Sequence, residues 1–214
     1  MEEVLQKLFD AVLEGDFDGV KTNVTTALEA GLDPNAILND GMIAAMREVG
    51  VRFEAGDYYV PEMLIAARAM QSGMTLLKPH LQKTEQKSNG RVLMGTVKGD
   101  LHDIGKNLVG LMLEGAGYEI IDLGVDVPAE EFVKKAMELK PDIIGMSALL
   151  TTTMASMKTT LDALDAAGLR RNIKVIVGGA PVTEAYAQHI EADGFSPDAS
   201  RAVNLVNELL GKQG

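Results

Sequence analysis

The sequence predicts two domains of different class, a helical bundle followed by an α/β domain built on a parallel sheet. Three observations carry this. Through residue 81 the apolar residues recur at helical spacing. From residue 91 short β-branched runs alternate with helical stretches. Between them residues 82–90 (QKTEQKSNG) are polar throughout and read as a linker. Domains are therefore expected at 1–81 and 91–214.

In the first domain Val4, Leu5, Leu8, Phe9 and Val12 form one helical stripe. Gly15-Asp16 breaks it, and Asp16 is placed to cap a second helix that runs to Ala30 and stops at Gly31. Asp33-Pro34 opens a third helix, with proline in the first turn, where its missing N–H costs nothing. That helix carries Ile37, Leu38, Met42, Ile43, Met46 and Val49. After a break at 55–59, Val60-Pro61-Glu62 opens a fourth, with Met63, Leu64, Ala67, Met70, Met74 and Leu77. Four helices on short connections pack as an antiparallel bundle.

In the second domain strands are expected at 91–97, 119–124, 142–148 and 174–178, with a short fifth near 194–197. Helices are expected at 103–116, 128–140, 152–167, 183–192 and 199–211. This alternation means parallel strands with helices on both faces. Right-handed crossovers leave few strand orders, and we expect the flavodoxin-like, Rossmann-like one. Strands one and three are then neighbours, and ligands sit beyond the carboxyl ends of the strands. Three turns converge there, after strands one, three and four.

The first turn carries Asp100, His102 and Gly105 as D-x-H-x-x-G. It has neither G-x-G-x-x-G nor G-K-[ST], so it is not a usual phosphate loop. An imidazole with a carboxylate two residues away suits metal ligation, because a ligating His normally gives its second N–H to an acceptor. It suits general base catalysis as well. Asp100 or Asp103 would also serve as a plain helix cap. In the second turn Ser147 offers a hydroxyl, and it and Thr151 to Thr153 are equally suited to capping the next helix. Gly178-Gly179 allows either a tight turn or the close approach of a ligand. His80 and His189 suit surface or packing positions. One histidine is too few for zinc. A metal already held by a macrocycle needs only one axial protein ligand.

Composition narrows the function classes. The net charge of −11, with no Lys/Arg cluster, argues against a nucleic-acid surface. The chain has no cysteine, which removes disulfides, thiolate nucleophiles and Cys-held metals and fits a reducing cytoplasm. The acidic, amphipathic start is not a signal peptide, and no apolar run has the length of a membrane span.

Asp100-x-His102-x-x-Gly105, then forty-one residues, then Ser147-x-Leu149, then twenty-eight, then Gly178-Gly179 resembles the signature of cobalamin-binding domains that hold the cofactor base-off and His-on. Residues 53–63 (FEAGDYYVPEM) resemble the segment of a helical cap that covers the upper corrin face. Over essentially the whole chain the resemblance is to the corrinoid proteins of methylamine, methanol and methoxy methyltransferase systems. The chain is also similar to the cap and cobalamin-binding domains of cobalamin-dependent methionine synthase. The resemblance implies His102 as lower axial ligand to cobalt, with Asp100 accepting its Nδ1–H and Ser147 supporting that pair or the displaced base. It places Asp103 and Ile104 at the cofactor with the rest of their motif. The nucleotide tail would pass Gly105, Leu149, Thr151, Gly178 and Gly179, and Ala199 would lie beside the corrin edge. Phe53, Val60 and Met63 would shield the upper face.

The implied function is a non-catalytic methyl carrier. It would use cobalamin as methylcobalamin, cob(I)alamin and cob(II)alamin. A substrate-specific methyltransferase would supply the methyl group and an acceptor-side methyltransferase would take it. A reductive activation protein is a further expected partner; membrane and nucleic acid are not. Two other readings are weaker. An adenosylcobalamin sensor would need a DNA-binding module, which the charge does not favour. A receiver-like signalling domain would need an aspartate where Ser147 ends strand three.

Overall fold

A computed structural model of the chain describes residues 2–81 and 88–212. Most of the expected linker, residues 82–87, lies outside the described residues. The chain divides into two compact units, Met1–Ser88 with Gly115–Gly117, and Asn89–Glu114 with Tyr118–Gly214.

The first unit is helical: α1 (Glu2–Glu14), α2 (Phe17–Glu29), α3 (Pro34–Ala36), a π-helical stretch (Ile37–Ile43), α4 (Ala44–Ala55) and α5 (Val60–Leu81). Asp16 caps α2 through the Gly19 N–H, and Asp33 caps α3 with Pro34 in its first turn. From Pro34 to Ala55 the chain stays helical, with the π stretch in its middle, so the third helix of the sequence is one rod with a widened turn. Sequence periodicity does not predict that turn. At its centre Gly41 lies so close to α1 that an added Cβ would stand 2.8 Å from Leu8 Cδ2. Tyr58 pins the corner before α5: its hydroxyl donates to the Leu13 carbonyl at 3.2 Å, and the Arg52 guanidinium lies 5.3 Å from its ring centre. Glu62 accepts the Tyr59 N–H at 3.0 Å, closing the start of α5.

The second unit is a five-stranded sheet in the order β2-β1-β3-β4-β5, parallel throughout, as expected. The strands are β1 (Arg91–Thr96), β2 (Glu119–Asp122), β3 (Ile143–Ser147), β4 (Lys174–Gly178) and β5 (Gly194–Ser196). Helices α6 (Ile104–Gly115), α7 (Ala129–Leu139), α8 (Ala155–Ala166), α9 (Glu184–His189) and α10 (Ala199–Leu209) connect and follow them. The central strands are buried almost end to end, which explains their unbroken Val, Ile and Met runs. Phe132, Ile144, Met157, Leu161 and Val175 are fully or nearly fully buried in one shared core cluster. Register sets Thr96 beside Ser147, Ser147 beside Gly178 and Gly178 beside Ser196. This row marks the carboxyl edge of the sheet, where the site lies.

Candidate functional site

Between Thr96 and Ile104 the chain forms a turn without helix or strand. The loop after β2 holds it. Asp126 accepts the Gly99 N–H on its side chain at 2.7 Å and donates its own N–H to the Asp100 carbonyl at 2.9 Å. Asp126 does this at φ 54, in the left-handed region that aspartate tolerates better than most residues.

Asp100 is the hub. Its side chain is fully buried. One carboxylate oxygen accepts the His102 ring Nδ1–H at 2.7 Å and the His102 backbone N–H at 3.1 Å. The other accepts the Leu149 N–H at 2.8 Å, the Leu150 N–H at 3.2 Å and the Thr153 hydroxyl at 2.7 Å. Burial alone would raise its pKa. The hydrogen bonds from Thr153, His102 and Leu149 outweigh it and hold the carboxyl well below the usual carboxylate range. Asp100 is therefore an anion at neutral pH, and it joins the turns after β1 and β3.

An ionised carboxylate only accepts, so the proton facing it is on Nδ1 of His102, and in that tautomer Nε2 carries the ring's lone pair. The His102 side chain is 51% exposed. Large apolar side chains that a folded chain usually covers are exposed on the same turns: Leu101 (70% exposed) and Ile104 (82%) flank His102 in sequence, and Leu149 (42%) and Leu150 (43%) follow β3, their N–H groups on Asp100. A cluster of this kind marks a ligand or partner surface. Among the described residues no group of three or more His, Cys, Asp or Glu could hold a metal ion. A single oriented imidazole beside exposed apolar residues suits a macrocycle that brings its own equatorial ligands.

The glycines separate by cause. Gly105 lies in the first turn of α6, and a Cβ built there meets nothing within 4 Å. Its φ is not in the left-handed region, so the fold does not need glycine at this position. The open space beside it fits a ligand that packs against backbone. Gly179 is the opposite case. Its φ is 125, and a Cβ would stand 1.9 Å from the Ala148 carbonyl oxygen. Gly178 is tight too: a Cβ there would stand 3.1 Å from the Ser196 carbonyl oxygen. Gly179→Ala is thus expected to destabilise the ligand-free protein by ~2–4 kcal/mol, while Gly105→Ala leaves its stability equal or ~0.5–1 kcal/mol higher and weakens corrinoid binding. Denaturant unfolding and a binding titration check both. A Gly105→Ala protein that binds as well as wild type would remove the ligand reason for that glycine.

The remaining site residues spread along this edge. Ser147 is half-buried at the end of β3 and is not among Asp100's partners; the hydroxyl on that carboxylate belongs to Thr153. Thr153 is a functional candidate that sequence reasoning treated only as a cap. The Thr tract after strand three was its one visible signal. Thr151 is exposed, Asp103 accepts from Asn107, and Ala199 is buried at the start of α10 beside the cap residue Asp198. In the helical unit Phe53 is partly buried, Val60 exposed and Met63 fully buried.

Fold and site together define a class: a five-stranded parallel-sheet protein whose carboxyl edge carries one oriented, half-exposed imidazole backed by a buried carboxylate, with exposed leucine and isoleucine side chains on the same turns. Comparison with known proteins agrees. Residues 90–204 match the family model described as a B12 binding domain, and residues 4–78 match a second B12 binding domain model. The chain is 44% identical over 211 residues to trimethylamine corrinoid protein 1 of Methanosarcina acetivorans, covering 98% of each chain. It is 45% identical over 210 residues to dimethylamine corrinoid protein 1 of the same organism, again covering 98% of each. A cobalamin-binding protein of Desulfitobacterium hafniense is similar in structure, with TM-score 0.80, 36% identity, and 96% of this chain and 98% of that one covered. So is one chain of the methanol:cobalamin methyltransferase complex of Methanosarcina barkeri, with TM-score 0.89, 30% identity, and 99% of this chain and 81% of that one covered. The chain belongs to the family of corrinoid proteins of methylamine and methanol methyltransferase systems, and its cofactor is a cobalamin. Among the described residues no helix is long and apolar enough to cross a membrane.

Proposed function

We propose that this chain is a cytoplasmic methyl carrier that binds cobalamin with the cofactor's own base displaced and His102 Nε2 as the lower ligand. A substrate-specific methyltransferase loads it and an acceptor-side methyltransferase unloads it. A reductive activation protein restores it after oxidation. The observation that carries the reading is His102 itself, half-exposed among apolar side chains with its Nδ1–H committed to a buried anion.

Bound cobalamin supplies a cobalt that accepts and releases a methyl group. The protein's residues do the rest. Asp100 holds the proton on Nδ1, so Nε2 faces outward as a lone-pair donor of fixed tautomer. Thr153 and the Leu149 and Leu150 N–H groups hold Asp100 ionised, which keeps His102 electron-rich. Leu101, Ile104, Leu149 and Leu150, exposed in the structure, would pack against the bound cofactor and keep water from the ligating ring. Gly105 leaves room for the nucleotide tail, with Ser147, Thr151, Gly178 and Gly179 along its course and Ala199 at the corrin edge. Phe53, Val60 and Met63 are assigned to shielding the upper face on the family resemblance. No catalytic residue is assigned, because substrate activation falls to the partners.

The test is methyl transfer with separate partners. The holoprotein, reduced and offered methanol, dimethylamine and trimethylamine with their respective methyltransferases, should be methylated by one system and demethylated by an acceptor-side enzyme. Tight cobalamin binding without methylation in any system would overturn the carrier reading.

A further inference from the structure

His102 is held by three hydrogen bonds, and Asp100 accounts for two of them, at the ring Nδ1 and at the backbone N–H. The third is on its backbone carbonyl. Thr96 Oγ1 donates to the His102 carbonyl oxygen at 2.9 Å. Thr96 is fully buried as the last residue of β1. Its N–H donates to the Gly124 carbonyl at 3.0 Å, its carbonyl accepts the Val127 N–H at 2.9 Å, and it pairs in register with Ser147. The donor is thus fixed on a rigid strand between two neighbours, whereas the acceptor lies in a turn without regular structure. Gly124 is itself anchored. Its N–H donates to Asp122 Oδ1 at 2.9 Å, and the other oxygen of Asp122 takes the ammonium of Lys106, a buried residue in the first turn of α6. Bonded links therefore run from β1 through the end of β2 to the start of α6, and His102 sits on the turn between. A buried valine would fill the same volume and suit a strand at least as well, so packing does not call for the hydroxyl.

We propose that Thr96 is a positioning residue for His102. By fixing the peptide that follows His102, its hydroxyl sets where the ring stands relative to the sheet. Asp100 separately sets the ring's tautomer and charge. A ligand atom must be held within a few tenths of an ångström, and that precision comes from supporting groups on rigid elements. The inference rests on the reading of His102 as the cobalt ligand.

The test is a double-mutant cycle on cobalamin affinity, with paramagnetic resonance of the cobalt(II) holoprotein as second readout. Thr96→Val removes one hydrogen bond and leaves a carbonyl unpaired, so affinity should fall on the order of three- to tenfold. The share of molecules with a protein nitrogen on cobalt should fall with it, while the nitrogen coupling of those still ligated stays as in wild type. Thr96→Ser should restore both. In a His102→Gly background Thr96→Val should leave cobalamin affinity unchanged, which a merely structural role would not produce. If Val is poorly tolerated, Thr96→Ala is read in the same way. A Thr96 effect that persists without His102, or no loss of affinity in its presence, overturns the inference alone. Wild-type protein without any protein-nitrogen coupling overturns the ligation reading, and the inference with it.

Discussion

His102→Gly is expected to bind cobalamin at least ~10–100-fold more weakly than wild type, since loss of an outer partner of a ligand already costs that much. Bound cofactor should show no protein nitrogen on the metal, and methyl transfer with the partner enzymes should slow at least in proportion. The fold should survive, because the ring is half-exposed and its one side-chain hydrogen bond goes to Asp100, which keeps its bonds to Leu149, Leu150 and Thr153. Free imidazole should restore part of the affinity by entering the vacated space. Spectral titration, with and without imidazole, reads all of this. Wild-type affinity in the variant would show that the apolar surround and the tail site hold the cofactor unaided.

Asp100→Ala should have the largest effect on the ligand-free protein. It strands the Leu149, Leu150 and His102 N–H groups at the junction of two turns, while the buried Thr153 hydroxyl keeps the Leu150 carbonyl as acceptor at 2.8 Å. Each stranded buried donor costs about 1–3 kcal/mol, and they relax together, so a loss on the order of 3 kcal/mol or more is expected. The sign with pH follows from the lowered pKa. The unfolded carboxyl titrates near 3.9, and the folded one lies below it. The stability that ionised Asp100 contributes is complete above about pH 4 and is lost as pH falls through the folded value. The gap in stability between wild type and Asp100→Ala should therefore be flat from pH 5 upward and narrow in acid. Denaturant unfolding across that range checks it. A gap that widens in acid would mean Asp100 is not held as the anion.

The expected parallel sheet, its strand order and the helical first unit were legible because burial imposes periodicity on sequence. Asp100, His102 and Gly105 were legible because they share one short turn. Thr153 was not, since its bond to Asp100 spans fifty-three positions and depends on how the loop after β3 folds back. That fold also delays α8, which starts at Ala155 rather than near 152. Ile104 is placed at the cofactor by resemblance alone, and only the structure shows that it and Leu101 are left exposed on the turn that carries His102. Gly105 and Gly179 read alike as letters. The Cβ test separates them, one beside open space and the other against the Ala148 carbonyl. The π stretch Ile37–Ile43 left no mark in the apolar spacing, because its buried residues still follow a helical face.

The central claim is that a protein imidazole replaces the cofactor's base on cobalt. Electron paramagnetic resonance of the cobalt(II) holoprotein, prepared with ¹⁵N-histidine and with natural-abundance protein, tests it most directly. The expected spectrum shows coupling to a single axial nitrogen whose splitting changes with the label. Splitting that is the same in both preparations would place the cofactor's own base on the metal and contradict the account.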